Sequence, residues 1–371
     1  MNSLNISNIV FAFLLSVLLT GLLIPQILLI SYRCKLFDEH DPRKVHHGVV
    51  PRLGGFAFLP AILISILLVG GFNVWNHSAE LATLMVQNEL ILYFSVCGIF
   101  VLYLVGLSDD LVGVRYRTKF VTQTIGAILL VSGGLWINDL HGFLGLHELP
   151  WWIGIPFTLL VVVFVINAVN LIDGIDGLAS GLCSIAMTVY GVTFFYRRDY
   201  FFAMIAFATL GVLIPFFCFN VFGSVYKHKK IFMGDTGTLT IGYLISLLGL
   251  RLLYNDGTVH ADSFNPLIIV AAPLLIPCMD VVRVYLGRVK RGKNPFLPDK
   301  THIHHKLLKA GLCQWQAMFS IVCVSLILSA ALIYLSAWID VSVLIGLGIL
   351  FFIVVNIYLS KYIKRKTTSK L

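Results

Sequence analysis

Acidic side chains are scarce in this chain, 18 among 371 residues. Five of them stand where an apolar run begins or ends. Asp109 and Asp110 follow one run, Asp173 and Asp176 follow another, and Asp235 precedes a third. An ionisable group at such a place is a functional candidate by default. Adjacent carboxylates repel, so Asp109-Asp110, with Arg115, Arg117 and Lys119 downstream, favour a bound cation or a shared proton. Gly113 stands where a D-x-x-D-type third acid would belong, and the plainer reading is a solvated charged loop. Asn167, Asn170, Asp173 and Asp176 recur at a spacing of three, which puts neighbours on one helix face, so Asn170 and Asp173 could address one ligand. Against this stands helix glue by asparagine, with acids reaching for the interface. Gly234-Asp235-Thr236-Gly237 at a helix start offers backbone N–H groups and one carboxylate, suited to a phosphate–metal pair or simply to capping.

Two basic loops carry histidines. One holds Asp41, Arg43, Lys44, His46 and His47 and closes on Pro51-Arg52-Leu53-Gly54-Gly55. The other holds His302, His304 and His305, of which His302 and His305 would share a helix face. No cysteine or carboxylate near His302, His304 and His305 completes a zinc site, so phosphate or sugar hydrogen bonding is the better reading of those three. Taken together, five carboxylates, a metal-capable asparagine and two basic loops suit a divalent cation, a soluble polyphosphate and a lipid phosphate.

The elements that must position these residues are set by composition. The chain is 58% hydrophobic and 12% charged, against roughly 45–50% and about 25% in soluble domains. That excludes a soluble enzyme, a disordered chain and a disulfide scaffold. Seven cysteines without a C-x-x-C pair predict no disulfide framework. A span needs about 20 mostly apolar residues, and eleven such runs are predicted: 8–31, 54–70, 90–107, 119–136, 151–169, 178–195, 200–222, 238–254, 267–286, 314–336 and 341–359. The expected fold is therefore all-α and polytopic, a single membrane domain over 1–371. Its active-site loops are 32–53, 108–118, 170–177, 223–237 and 287–313, the last with a short helix. Pro273 and Pro277 are expected to kink the ninth span just before Asp280.

Eleven spans put the termini on opposite sides. With the N-terminus outside, 24 of the 27 basic residues fall inside, and only Arg197, Arg198 and Arg251 fall outside. The positive-inside rule therefore predicts an outer N-terminus and a cytosolic C-terminus. The formal charge of +9 becomes a cytosolic field near the membrane, suited to anionic headgroups and phosphorylated substrates. No aromatic-basic platform speaks for nucleic acid.

These motifs resemble, in order and over nearly the whole chain, those of the polyprenyl-phosphate N-acetylhexosamine-1-phosphate transferases (glycosyltransferase family 4). The stretches are Asp41 to Gly55, Asp109 to Lys119, Asn167 to Gly177, Met233 to Gly237 and Asn294 to His305. Most similar is the bacterial undecaprenyl-phosphate N-acetylglucosamine-1-phosphate transferase branch. The resemblance implies transfer of a sugar-1-phosphate from UDP-N-acetylglucosamine to undecaprenyl phosphate at the cytosolic face of the plasma membrane. UMP leaves, Mg²⁺ is required (Mn²⁺ being an alternative), and a homodimer is compatible. The product would be the first lipid-linked intermediate of a cell-surface glycan such as O-antigen or teichoic acid. By the same resemblance Asp235 and Asn170 are metal ligands, and Asp109 and Asp110 a catalytic pair. Asp173 and Asp176 meet the nucleotide, while Arg43, Lys44, His46, Lys119, His302, His304 and His305 contact phosphate and sugar. A phosphate monoester has a second pKa of about 6, so its dianion predominates at neutral pH and a general base at Asp109 would add little.

Rival readings are weaker. Ion-coupled transporters place acids near the midplane on broken helices, whereas these lie at span ends. A CDP-alcohol phosphatidyltransferase shares Asp173-x-x-Asp176-Gly177, yet Ser180-Gly181 stands where its Ala-Arg belongs. Within the family the rival donors are another UDP-N-acetylhexosamine and UDP-MurNAc-pentapeptide.

Overall fold

In hydrocarbon every backbone N–H and C=O must find its partner within the segment, so the apolar runs have little choice but helix. The computed structural model describes residues 2–36, 50–76, 81, 83, 86–255, 257, 264–292 and 301–368. Over these its regular secondary structure is helical, with a single bridge between Asp139 and Glu148 in place of any strand. The first helices are α1 (Asn2–Arg33), α2 (Phe58–Trp75), α3 (Glu89–Val112), α4 (Tyr116–Ser132) and α5 (Trp151–Ile172). They continue as α6 (Leu178–Tyr196), α7 (Tyr200–Val221), α8 (Gly234–Leu253) and α9 (Pro266–Lys290). A short α10 (Ile303–Ala310), predicted within the 287–313 loop, precedes α11 (Gln314–Leu335) and α12 (Val341–Thr368).

Ten of these helices are long and apolar enough to cross a bilayer, making this a multi-pass membrane protein. The sequence predicts eleven, and the difference lies in 119–136. There α4 has only 17 residues and carries Arg117, Lys119 and Gln123. At 1.5 Å per residue it is about 25 Å long, short of a hydrocarbon core of about 30 Å. It still runs the length of α3, because Gly133 just past its end lies against Leu90 and Ile91 at the start of α3. Pro273 and Pro277 both lie inside α9, which continues past Asp280 as one helix.

The helices alternate in direction. Asn8 near the start of α1 pairs with Asn73 near the end of α2 (Asn73 Nδ2 to Asn8 Oδ1, 2.9 Å). At the opposite face, Lys366 near the end of α12 donates to the Ala310 carbonyl. Each asparagine satisfies the other, which is how polar groups survive between membrane helices. At the centre lies α8, with 94% of its most apolar stretch buried. It packs along α3 and α5, which places the end of α3 and the end of α5 beside its own first turn. That convergence builds the site.

Candidate active site

The segment Pro51–Gly55 lies along the loop that enters α8 like a short ladder. Phe232 N donates to Pro51 O (2.9 Å), Gly54 N to Phe232 O (2.9 Å) and Gly55 N to Met233 O (2.8 Å). Gly234 then turns with φ of +72°. A Cβ there would also collide with the Arg52 carbonyl and the Asp110 carboxylate, so only glycine allows both approaches.

The two adjacent acids do different things. Asp110 caps α8 from outside its own helix. Its carboxylate accepts from Asp235 N (2.8 Å), Thr236 N (2.9 Å) and Thr236 Oγ1 (2.6 Å). A negative charge on a helix N-terminus is favourable, and the cap holds Asp235 at a fixed height. Asp109 instead accepts from Val114 N (2.7 Å) and from Lys119 Nζ (2.7 Å). Lys119 Nζ also donates to Asp235, so one ammonium bridges Asp109 and Asp235. Asn170, on α5, gives its amide N–H groups to Asp235 Oδ1 (3.0 Å) and Thr238 Oγ1 (2.8 Å).

Carboxylate oxygens of Asp109, Asp110 and Asp235 lie within 4.8 Å of one another. That oxygen-only set suits a hard divalent cation such as Mg²⁺, which takes one or two carboxylates and completes its shell with water and phosphate. The Lys119 ammonium between two of them demonstrates that the position attracts positive charge. Asp235, Asp109 and Asp110 would hold the ion, with the Asn170 amide oxygen as the adjacent neutral donor.

Asp110, Asn170 and Asp235 open onto a cavity of about 340 Å³, lined also by Arg52, Asp173, Asp176, Asn220, Thr238, His305 and Gln314. Asp173 caps the end of α5. The protein crowded around it, then the like charges of Asp235 and Asp176, push its carboxyl above the usual range. Water in the cavity still reaches that side chain, which moderates the push. Asp176 is held by Lys230 (2.6 Å), both largely buried. Nearby, Asn220 accepts from Gly177 N (2.7 Å) and donates to Ile231 O (2.8 Å), tying the Asp173–Gly177 turn to the loop before α8. Asn167 points elsewhere, donating to Gln123 Oε1 on α4 (2.6 Å). It is helix glue.

The three histidines separate in role. His302 precedes α10 rather than sharing a face with His305. Its Nδ1 lies 2.8 Å from Asp280 Oδ2. The fully buried Asp280 also accepts from Ile303 N (3.0 Å) and Arg283 Nη2 (2.7 Å), fastening α10 to α9. His304 is buried over Gly174, where a Cβ would collide with its ring. Both its ring nitrogens lack a hydrogen-bond partner among the described residues. Burial, then the neighbouring His305 and His302, push it down to about 3. It is therefore neutral at pH 7 and cannot bind phosphate as a cation. Only His305 of the three lines the cavity. On α10 too, Lys306 is pushed down to about 8 by burial and then by Arg283. It donates to Asn356 Oδ1 (3.2 Å) and Ser360 Oγ (3.1 Å) on α12.

Of the residues expected at the site, Asp110, Asn170, Asp173, Asp176, Asp235 and His305 line this cavity, and Asp109 and Lys119 join them through Asp235. His302 and His304 stand behind it, while Arg43, Lys44 and His46 lie outside the described residues. Sequence reasoning passed over Arg52, Asn220, Lys230, Thr238 and Asp280. Arg52 carried a signal, a base just before a Gly-Gly entry in a basic loop. Asp280 carried another, a lone acid in an apolar run. Asn220 and Thr238 carried none.

Residues 91–253 match the family described as Glycosyl transferase family 4. Over 350 residues the chain is 30% identical to the "Probable undecaprenyl-phosphate N-acetylglucosaminyl 1-phosphate transferase" of Bacillus subtilis (strain 168), covering 94% of this chain and 90% of that protein. It is 29% identical over 306 residues to the undecaprenyl-phosphate alpha-N-acetylglucosaminyl 1-phosphate transferase of Escherichia coli (strain K12), covering 81% and 77%. To the same-named protein of Salmonella typhi it is 31% identical over 307 residues, covering 81% and 76%. Similarity of that extent, running through every helix that builds the carboxylate cluster, makes the chain a member of glycosyl transferase family 4, in its undecaprenyl-phosphate N-acetylglucosaminyl 1-phosphate transferase branch.

Proposed function

We propose that the protein transfers N-acetylglucosamine-1-phosphate from UDP-N-acetylglucosamine to undecaprenyl phosphate, with Mg²⁺, at the cytosolic face of a bacterial plasma membrane. The observation that carries this reading is the cluster of Asp109, Asp110 and Asp235, opening on a cavity at one end of a membrane bundle. A lipid phosphate anchored in the leaflet can reach such a place, and so can a soluble nucleotide. The relatives' names supply the acceptor lipid and the transferred group, and the uridine diphosphate of the donor comes from the motif resemblance.

In the reaction, an oxygen of the lipid phosphate attacks the phosphorus bearing the sugar. The bond from that phosphorus to the bridging oxygen breaks, and UMP departs with that oxygen. When bound, Mg²⁺ supplies charge neutralisation on the pyrophosphate. The chain's residues do the positioning. Asp110 holds the first turn of α8 and so sets where Asp235 stands. Lys119 carries a positive charge next to the carboxylates and can follow charge as it develops on the departing phosphate. Asp109 orients Lys119, and since the lipid phosphate is already mostly a dianion at pH 7, its proton-accepting ability is secondary. In-line positioning of two bound reactants supplies much of the rate.

The experiment is direct. Purified protein with undecaprenyl phosphate, UDP-N-acetylglucosamine and Mg²⁺ should release UMP and form a lipid-linked sugar pyrophosphate. EDTA should stop it, and Asp235→Ala should abolish it beyond rescue by added Mg²⁺. Near-normal turnover in Asp235→Ala overturns the metal assignment. A panel of UDP-sugars, including UDP-MurNAc-pentapeptide, reads the donor, and activity with the latter alone would replace the sugar assigned here.

A further inference from the structure

The cavity poses a charge problem. Four carboxylates line it, from Asp110, Asp173, Asp176 and Asp235. The reaction proposed above brings two phosphorylated substrates to this wall of negative charge. A divalent cation offsets only part of it. Lys119 bridges Asp109 and Asp235, and Lys230 holds Asp176. Among the described residues lining the cavity, Arg52 is the one with a guanidinium or ammonium group.

Its placement is built. The ladder between Pro51–Gly55 and Phe232–Met233 fixes the Arg52 backbone to the loop that carries Asp235. The Arg52 carbonyl lies so close to Gly234 that no side chain fits there. Arg52 and the metal-capable Asp235 therefore keep one spatial relation. The side chain is half-buried, and its charge acts across the cavity on Asp173. A planar guanidinium offers paired N–H donors that match two phosphate oxygens, which a lysine does not.

We propose that Arg52 is a phosphate-binding residue of this cavity, its guanidinium taking oxygens of a substrate phosphate beside the Asp109, Asp110 and Asp235 cluster. The inference rests on the function proposed above, and it deepens it by naming a side chain that recognises the anion. The phosphate belongs either to the nucleotide-sugar pyrophosphate or to the lipid monoester, and kinetics with each substrate varied in turn tells which.

The test uses the full chain in detergent or nanodiscs with Mg²⁺. Arg52→Gln should raise the KM of one substrate by about tenfold or more, the loss expected for a charge-assisted hydrogen bond, while the KM of the other changes little. Arg52→Lys keeps the charge but loses the fork, and should fall between wild type and Arg52→Gln. Thermal unfolding gives a second reading, since magnesium pyrophosphate should stabilise the wild type and stabilise Arg52→Gln less. Should Arg52→Gln not fold, the Arg52→Lys arm decides, and a KM unchanged for both substrates overturns the proposal. Both KM values within twofold of wild type in Arg52→Gln, with equal stabilisation by pyrophosphate, overturn it as well. If the wild type releases no UMP, the function proposed above fails; a pyrophosphate shift lost in Arg52→Gln would still uphold the anion site.

Discussion

At the scale of single residues, environment divides like from like. Asp109 and Asp110 are neighbours, yet one carboxylate faces Lys119 and the other caps α8. Three histidines within four positions end as a strut, a neutral filler and a cavity wall. His304 makes the sharpest case. In the unfolded chain its ring would protonate near pH 6.5, while burial holds the folded value down to about 3. Between those values the unfolded state binds the extra proton, so acid favours unfolding. His304's contribution to stability is complete above pH 6.5 and declines as pH falls toward 3. Thermal unfolding in detergent should therefore shift downward between pH 7 and pH 5, and less so in His304→Phe. A pH slope identical in the variant would contradict the assignment. The sequence exposed the acids because they were rare at the edges of apolar runs. It could not assign Asp110 to capping or His304 to burial, since both depend on which helix approaches from far along the chain.

At the scale of elements, short turns are locked to helix starts by polar groups few enough to name. The Asp173–Gly177 turn is tied through Asn220 and through the Lys230–Asp176 pair to the loop entering α8. Removing one partner of a largely buried pair strands the other, at a cost of about 3 kcal/mol. Lys230→Met should lower the unfolding temperature by several degrees and weaken turnover. Adding Asp176→Asn to it should recover part of the stability, because no uncompensated charge remains. If Lys230→Met melts with wild type, the pair is not a tie. Helix existence was readable from hydrophobic runs alone, and a short helix was expected in the loop where α10 stands. The 17-residue α4 was counted as a full span because Gly133-Gly134-Leu135-Trp136 continues its apolar character after the helix has ended.

For the whole molecule, alternating traverses carry the chain from a start at the far face to an end beside the site. On the proposed topology the positive-inside rule predicts a cytosolic site face, with 24 of the 27 basic residues expected on that side. A fluorescent reporter fused after residue 371 should light up in living cells, and a periplasm-dependent phosphatase at the same point should stay silent. The reverse pattern would turn the molecule over. Helix α12 holds α10 at both ends of its own final turns, through Asn356 and Ser360 to Lys306 and through Lys366 to Ala310. Residues as far as Lys366 must therefore be translated before the helix that carries His304 and His305 gains its last brace. A stop codon at position 356 should yield a membrane-inserted protein with little UMP release, and restoring the missing tail as a separate peptide should bring some of it back.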